Sequence, residues 1–182
     1  GVLKEARRRH PGVPVIGVLS TSDSWPHTGG VRQAVALGLS VYILDLNQPL
    51  LDRMMSAPHM IEPDALQKTE NFKEPSWIIV AQKKQIGRGA NRMELYPLRG
   101  ASTERQYMVY FPEHRLLYAS DTLALNDDGT LYAPELMYEV AQAVKRENLI
   151  VDNVFSMHQG LMSWERVMVL VAKSRPTDDA RA

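Results

Sequence analysis

The chain has 182 residues, of which 45% are hydrophobic and 23% are charged, so it is long enough to bury the core of one soluble domain. Lys plus Arg and Asp plus Glu each total 21, and the resulting formal net charge of zero excludes a strong field toward nucleic acid or acidic lipid. The absence of cysteine excludes disulfides, thiolate metal sites and a cysteine nucleophile.

The N-terminus carries charges at Lys4, Glu5 and Arg7, where a signal peptide would need an apolar segment. No stretch approaches the ~18 consecutive apolar residues of a membrane-spanning helix. We therefore expect a soluble protein with no signal peptide in this sequence and with neither a nucleic-acid nor a membrane partner. Its compartment stays unknown. Because the chain starts at Gly1, we also expect that an upstream segment has been removed.

The first part of the chain alternates between helical and strand patterns, with prolines and glycines at the boundaries. The predicted elements are a helix over residues 2–10, a strand over 15–19, a helix from Val31 to a stop at Gly38, a strand over 41–44 and a helix capped by Asn47. A polar segment over residues 59–75 follows, and we expect one helical turn in it, at residues 64–68.

The second part changes first to a strand period and then returns to helices. The predicted elements are strands over residues 77–81, 92–98, 107–111 and 115–119, a helix from Pro134 with Leu136, Val140 and Val144 on one side, a strand over 151–155 and a helix capped by Ser163. This order predicts an α/β, layered architecture. We expect a single domain over residues 1–175 and a disordered tail over 176–182.

The segment from Leu19 to Gly30 reads LSTSDSWPHTGG. It resembles the signature of the metallo-β-lactamase superfamily, in which a strand ends in Thr-His-x-His-x-Asp-His and continues through a glycine pair into a helix. Placing Gly29 and Gly30 on the family's glycines places His27 on the last histidine of that signature.

The other ligand positions of the signature have lost their metal-binding side chains. Ser22 and Ser24 occupy the two histidine positions, and Pro26 occupies the aspartate position. A further histidine of the family is replaced by Thr103, or by Ser102 if one gap is placed differently. Serine and threonine hydroxyls are poor zinc ligands near neutral pH, and proline has no ligand atom in its side chain.

Two later segments also resemble this superfamily. Residues 110–121 look like its hairpin, which ends in the metal-bridging aspartate, here Asp121, and residues 154–160 look like the strand end that supplies its last histidine, here His158. The resemblance covers the chain from about Val13 to Lys173. It implies a metallo-β-lactamase-like αββα sandwich that is incomplete in its N-terminal half, because few residues precede the histidine loop.

The resemblance leaves one incomplete ligand set, formed by His27, Asp121 and His158. Two imidazoles and one carboxylate are enough to hold one divalent ion, for which zinc is the best candidate. Asp23 is a possible substitute for the lost carboxylate. The expected cofactor is therefore either none or a single divalent metal ion.

Each of these residues also has a structural interpretation. His27 could hydrogen-bond the loop backbone, Asp121 could brace the turn after its strand, and His158 could pack under that loop. Trp25 could fill the space vacated by the lost ligands, which would argue against metal binding. The remaining histidines are assigned no ligand role: His10, His59 and His114.

The resemblance leaves three functions open. The first is a non-catalytic binding or interaction module with a degraded zinc site. The second is a single-metal hydrolase of a small ester or lactone that uses His27, Asp121 and His158. The third is metal-free hydrolysis by Ser22 or Ser24 with His27 as the base, although no Gly-x-Ser-x-Gly elbow accompanies them.

The incomplete N-terminal half also bears on partners. An uncovered sheet edge or face promotes aggregation, so native proteins cover it. We therefore expect a homo-oligomer, or another chain that completes the sandwich.

Overall fold

Two β-sheets, of three and six strands, organise the residues that the computed structural model describes, which are 2–69 and 74–174. The chain divides into two units, Gly1–Ile79 and Val80–Ala182.

The α/β class predicted from the sequence is confirmed. The single domain over 1–175 stays a prediction, and the predicted disordered tail lies outside the described residues. Over the described residues, we find no helix that combines the length and the apolar character needed to cross a membrane.

The first unit contains the three-stranded sheet and four helices. Its elements are α1 (Val2–Arg9), β1 (Gly17–Ser20), α2 (Trp25–Thr28), α3 (Val31–Ala36), β2 (Ser40–Leu44), α4 (Gln48–Ser56) and β3 (Trp77–Val80), whose last residue is the first of the second unit. The strand order is β1-β2-β3, and β1 runs parallel to β2. The core of this unit consists of the buried side chains of Val31, Ala34, Val35, Leu39, Val41, Ile43, Leu51 and Leu66.

The predicted stop of α3 at Gly38 is confirmed. Gly38 has a φ of 68°, a left-handed conformation that glycine adopts without steric cost. Its N–H donates to the carbonyl of Val35 at 2.9 Å, and the N–H of Leu39 donates to the carbonyl of Ala34 at 3.1 Å. This pair of bonds closes the helix end and turns the chain into β2.

Three predictions for the first unit need correction. Strand β1 begins at Gly17, not Val15, because pairing with β2 starts only at the pair Gly17 and Ser40. The loop before α3 contains the short helix α2, since Pro26 in its first turn suits a helix start. Asn47 precedes α4 but makes no side-chain cap, because its own backbone is already helical.

The second unit contains the six-stranded sheet and two helices. Its elements are β4 (Lys84–Ile86), β5 (Met93–Pro97), β6 (Tyr107–Phe111), β7 (Leu116–Tyr118), α5 (Pro134–Arg146), β8 (Asn153–Phe155), β9 (Met162–Ser163) and α6 (Trp164–Lys173). The strands lie in sequence order, and all neighbours are antiparallel except the parallel pair of β7 and β8. Both helices pack on this sheet through a core that includes Leu98, Met108, Leu117, Met137, Val140, Val154, Val167 and Val171.

Most elements of the second unit match the prediction, including the Ser163 cap, whose hydroxyl accepts the N–H of Arg166 at 3.3 Å. Strands β4 and β9 were missed because they have only three and two residues. Strand β7 begins after Arg115, whose φ of 45° closes the hairpin turn. In α5 the side chain buried in the core is Met137, whereas Leu136 is only half-buried.

Candidate metal centre

The parallel strands β7 and β8 bring Asp121 and His158 to one edge of the second sheet. Tyr118 pairs with Phe155 at the end of the two strands. Asp121 lies three residues after Tyr118, and His158 lies three residues after Phe155. Parallel strands end at the same edge, so equal extensions leave the two side chains side by side.

Asp121 and His158 are in direct contact. His158 Nε2 lies 2.7 Å from Asp121 Oδ1, which is hydrogen-bond distance. The histidine side chain is 51% exposed and the aspartate side chain 19% exposed, so the pair lies at the surface and is open to solvent on the histidine side. The structure thus brings together two of the residues that the sequence singled out.

Ser156 holds the loop that carries His158. Its hydroxyl oxygen accepts the backbone N–H of His158 at 3.1 Å and that of Gln159 at 2.9 Å, and it donates to the carbonyl of Leu123. A serine that bonds the backbone two and three residues further on fixes a tight turn. The sequence analysis did not assign Ser156 a role, although a serine two residues before a candidate ligand was a usable signal.

The backbone around Asp121 is also held from two sides. Ser120 is buried with a φ of 55°, and its carbonyl accepts the N–H of Met157 at 3.0 Å. The N–H of Asp121 donates to Gln106 Oε1 at 3.3 Å. Gln106 precedes β6 and has no motif around it, so its role could not be predicted from the sequence.

Thr103, which the sequence analysis assigned to a lost histidine position, is buried. Its hydroxyl donates to Glu139 Oε2 at 2.7 Å, and the N–H of Ser102 donates to the same carboxylate at 3.0 Å. Gly100 permits this approach, because a Cβ on it would lie 2.0 Å from Glu139 Oε2. The Thr103 hydroxyl therefore links this loop to α5.

The segment over residues 19–30, which contains His27, is held by hydrogen bonds to its own backbone. The Ser22 hydroxyl is buried and accepts the N–H of Ser24 at 3.1 Å. Pro26 and His27 lie in α2, where His27 is half-buried and its N–H donates to the Ser24 carbonyl at 2.9 Å. Trp25 is 76% exposed, so the expectation that it fills the vacated ligand space is wrong.

The histidines that were assigned no ligand role are His10, His59 and His114. His114 Nε2 lies 3.2 Å from the carbonyl of Ala90, and His59 Nδ1 lies 4.0 Å from Asp64 Oδ2. His10 is exposed at the end of α1.

An open groove of about 540 Å³ adjoins the Asp121 and His158 pair within the second unit. It is lined by Asp121, Thr122, Ala124, Leu125, Tyr132, Ala133, Leu136 and His158. A concave, mostly apolar site with a few polar groups at one end is typical of a small-molecule site.

The donor set at this edge fits a divalent transition metal. A carboxylate oxygen and an imidazole nitrogen are both common zinc ligands, and here they converge at an open surface. The half-exposed imidazole can turn without disturbing the core. Asp121 and His158 could therefore provide two of the ligands of a zinc ion.

Comparison with known proteins identifies the fold. No family model and no curated protein matches the sequence. Among solved structures, a metallo-β-lactamase from Pontibacter korlensis matches with a TM-score of 0.66 at 14% identity, over 96% of this chain and 76% of that chain. The DIM-1 metallo-β-lactamase matches with a TM-score of 0.64 at 14% identity, over 96% and 76%. The sec-alkylsulfatase Pisa1 from Pseudomonas sp. matches with a TM-score of 0.56 at 13% identity, over 93% and 33%.

These matches confirm the resemblance that the sequence motifs indicated. They also confirm that the chain corresponds to only part of the lactamase structures, about three quarters of their length. At this level of identity the likeness concerns the fold alone. The chain therefore has the metallo-β-lactamase fold, in a partial form.

Proposed function

We propose that this chain is a binding or interaction module that holds one divalent metal ion, preferably zinc, and that it does not form a two-metal hydrolytic centre. The observation that carries the proposal is the 2.7 Å approach of His158 Nε2 to Asp121 Oδ1 at the shared edge of β7 and β8. A carboxylate and an imidazole brought together in this way are suited to a metal ion.

The residues at the lost positions support the single-ion part of the proposal. The hydroxyl of Ser22 is bonded within its loop, and that of Thr103 is bonded to Glu139. Neither residue type is a good zinc ligand, and Pro26 has no ligand atom. Two-metal hydrolysis needs a pair of ions that binds both sides of the displacement, so a chain without metal-binding side chains at these lost positions would lack that pair.

His27 is proposed as the third ligand. This assignment comes from the order of ligands in the family signature, where His27 takes the last histidine position. Asp23, in the same loop, remains a candidate for the lost carboxylate. If the assignment is right, His27→Ala weakens zinc binding by at least tenfold, whereas Asp23→Asn tests the substitute separately.

The proposal is tested by titrating zinc into the full chain after removal of metal with a chelator. We expect one ion per chain by isothermal titration calorimetry. The zinc affinity of the variant His158→Ala should fall by at least tenfold, because one of the zinc ligands is removed. The matched control His114→Ala, which removes a histidine from a hairpin turn, should bind like the unchanged chain. Equal zinc binding by both variants would overturn the proposal.

A single-metal hydrolase of a small ester or lactone is the alternative, and the groove beside Asp121 and His158 favours it. A bound zinc ion supplies Lewis acidity that polarises a carbonyl group. In this alternative the groove holds the substrate so that its carbonyl group lies at the zinc ion. Ester or lactone hydrolysis that appears with zinc, disappears in Asp121→Asn and persists in His114→Ala would establish the alternative over the non-catalytic module.

We also propose that a second copy or another chain completes the fold. Among the described strands, β1 pairs only with β2, so one edge of its sheet carries no further described strand. Exposed edges of this kind are normally covered. Size-exclusion chromatography with light scattering should then show a dimer or higher oligomer, and a purely monomeric chain would argue against self-association.

A further inference from the structure

The groove in the second unit has a polar end and apolar walls. Asp121 and His158 form the polar end, beside Thr122, whose hydroxyl donates to the carbonyl of Ala119. The walls are apolar or aromatic: Ala124, Leu125, Tyr132, Ala133 and Leu136. None of these eight lining side chains, all in the part of the chain that the structure describes, is a lysine or an arginine. The walls of the groove therefore carry no charged side chain, and the carboxylate of Asp121 lies at its polar end.

The wall of the groove is built from ordered backbone. The loop after Asp121 forms a small hairpin, in which Leu125 bridges Leu131 and the N–H of Tyr132 donates to the carbonyl of Ala124 at 2.9 Å. The N–H of Asn126 donates to the carbonyl of Thr130 at 2.9 Å. The groove is thus formed before any ligand arrives, which lowers the entropic cost of binding.

Two side chains of the wall are too exposed to be explained by the core. Tyr132 is 73% exposed, although a tyrosine gains much from burial, and Leu136 is only half-buried, at the first turn of α5. The neighbouring Met137 takes the core position instead. Leu136 and Tyr132 therefore offer apolar surface to a ligand in the groove.

We propose that this groove binds the straight apolar chain of an uncharged ligand, such as an acyl or alkyl chain, whose polar head lies at Asp121 and His158. The position of the head rests on the proposed metal site, whereas the preference for an uncharged chain rests on the groove lining alone. The volume of about 540 Å³ lies within the range of small-molecule sites.

The test uses primary amides of increasing length, namely butanamide, hexanamide and octanamide, titrated into the zinc-treated full chain. Binding is followed by the NMR shifts of the leucine methyl groups. We expect the affinity to rise by roughly threefold for each added methylene, because each one leaves water for an apolar wall. In chelator-treated protein, octanoate should bind at least tenfold more weakly than octanamide, because Asp121 at the polar end repels a carboxylate and no lysine or arginine lines the groove to offset that repulsion.

Two variants locate the effect. Leu136→Asn and Tyr132→Ala should each flatten the dependence on chain length, and Tyr132→Ala changes a side chain that is too exposed to be needed for folding. The control Ile150→Asn changes an exposed apolar residue that does not line the groove, and it should keep the full dependence.

The outcomes separate this inference from the proposed function. If zinc binds but affinity does not change with chain length, the inference is overturned and the metal site stands. If no zinc binds but longer amides bind more tightly and Leu136→Asn removes the trend, the inference stands and the metal site fails. Equal affinity for octanoate and octanamide in chelator-treated protein would overturn the preference for an uncharged ligand.

Discussion

The hydroxyl oxygen of Ser156 accepts the backbone N–H of His158 at 3.1 Å, so the side chain that meets Asp121 is presented by a turn that a single serine fixes. The same oxygen accepts the N–H of Gln159 at 2.9 Å. The geometry of the candidate metal centre therefore depends on a residue that cannot itself bind the ion well.

Ser156→Ala should weaken zinc binding while leaving the fold intact. The variant loses hydrogen bonds worth about 1 kcal/mol each, so we expect the free energy of unfolding to fall by about 1–3 kcal/mol. Zinc affinity should fall by roughly tenfold because His158 is less well placed. The control Ser56→Ala removes an exposed hydroxyl that bonds only carbonyls within α4. Unchanged zinc affinity in Ser156→Ala would show that the turn does not position the ligand.

Arg32 should be essential for the stability of the first unit. Its guanidinium is buried, donates to Asp64 Oδ2 at 2.6 Å and donates to the carbonyls of Met54 and Met55 at the end of α4. Arg32→Ala leaves these acceptors without their donor, so we expect a loss of about 3 kcal/mol in chemical denaturation. Arg32→Lys keeps the positive charge but lacks the planar guanidinium with its several donors, so its loss of stability should be smaller than that of Arg32→Ala. A loss in Arg32→Ala below about 1 kcal/mol would contradict this role.

Asp64 should make the stability of the chain sensitive to acid. The hydrogen bond from Arg32 lowers the pKa of the Asp64 carboxyl from 3.8 to about 2. A lowered folded-state pKa contributes stability that is fully present above the unfolded value of about 3.9 and is lost as pH falls toward 2. As the pH falls from about 4 to about 2, the free energy of unfolding should therefore decrease more steeply in the unchanged chain than in Asp64→Asn. Parallel pH profiles would contradict the assignment.

Gly100 and Glu139 should be energetically coupled. A Cβ at Gly100 would lie 2.0 Å from Glu139 Oε2, so Gly100→Ala must push the carboxylate away from Ser102 and Thr103. We expect Gly100→Ala to cost about 1–2 kcal/mol in the unchanged chain and less in a Glu139→Ala background, where only the Thr103 hydroxyl, 2.7 Å from that Cβ, still has to move. The double-mutant cycle from urea denaturation measures this difference, and additive costs would show that the two residues act independently.

The sequence predicted the parts of the site that lie in contiguous motifs. The segments ending at Asp121 and containing His158 were recognised by their residue order, and the structure brings these two side chains together. Such motifs can be recognised because each of these two side chains follows its strand by a fixed number of residues, so the local pattern already contains the geometry.

The supports of the site could not be predicted, because they join distant parts of the chain. Gln106 bonds the backbone of Asp121 across 15 positions, and Thr103 bonds Glu139 across 36. No local pattern records such pairs. The sequence analysis placed Leu136 on one side of α5 with Val140 and Val144, whereas the structure buries Met137 with them. Both fit a helical period with Val140 and Val144, and only packing on the sheet decides between them.

The most direct test of the single-ion account is anomalous diffraction at the zinc edge from crystals of the full chain grown with zinc. We predict one anomalous peak, bound by Asp121 and His158. Two peaks about 3.5–4 Å apart, the separation of a two-metal hydrolytic centre, would contradict it.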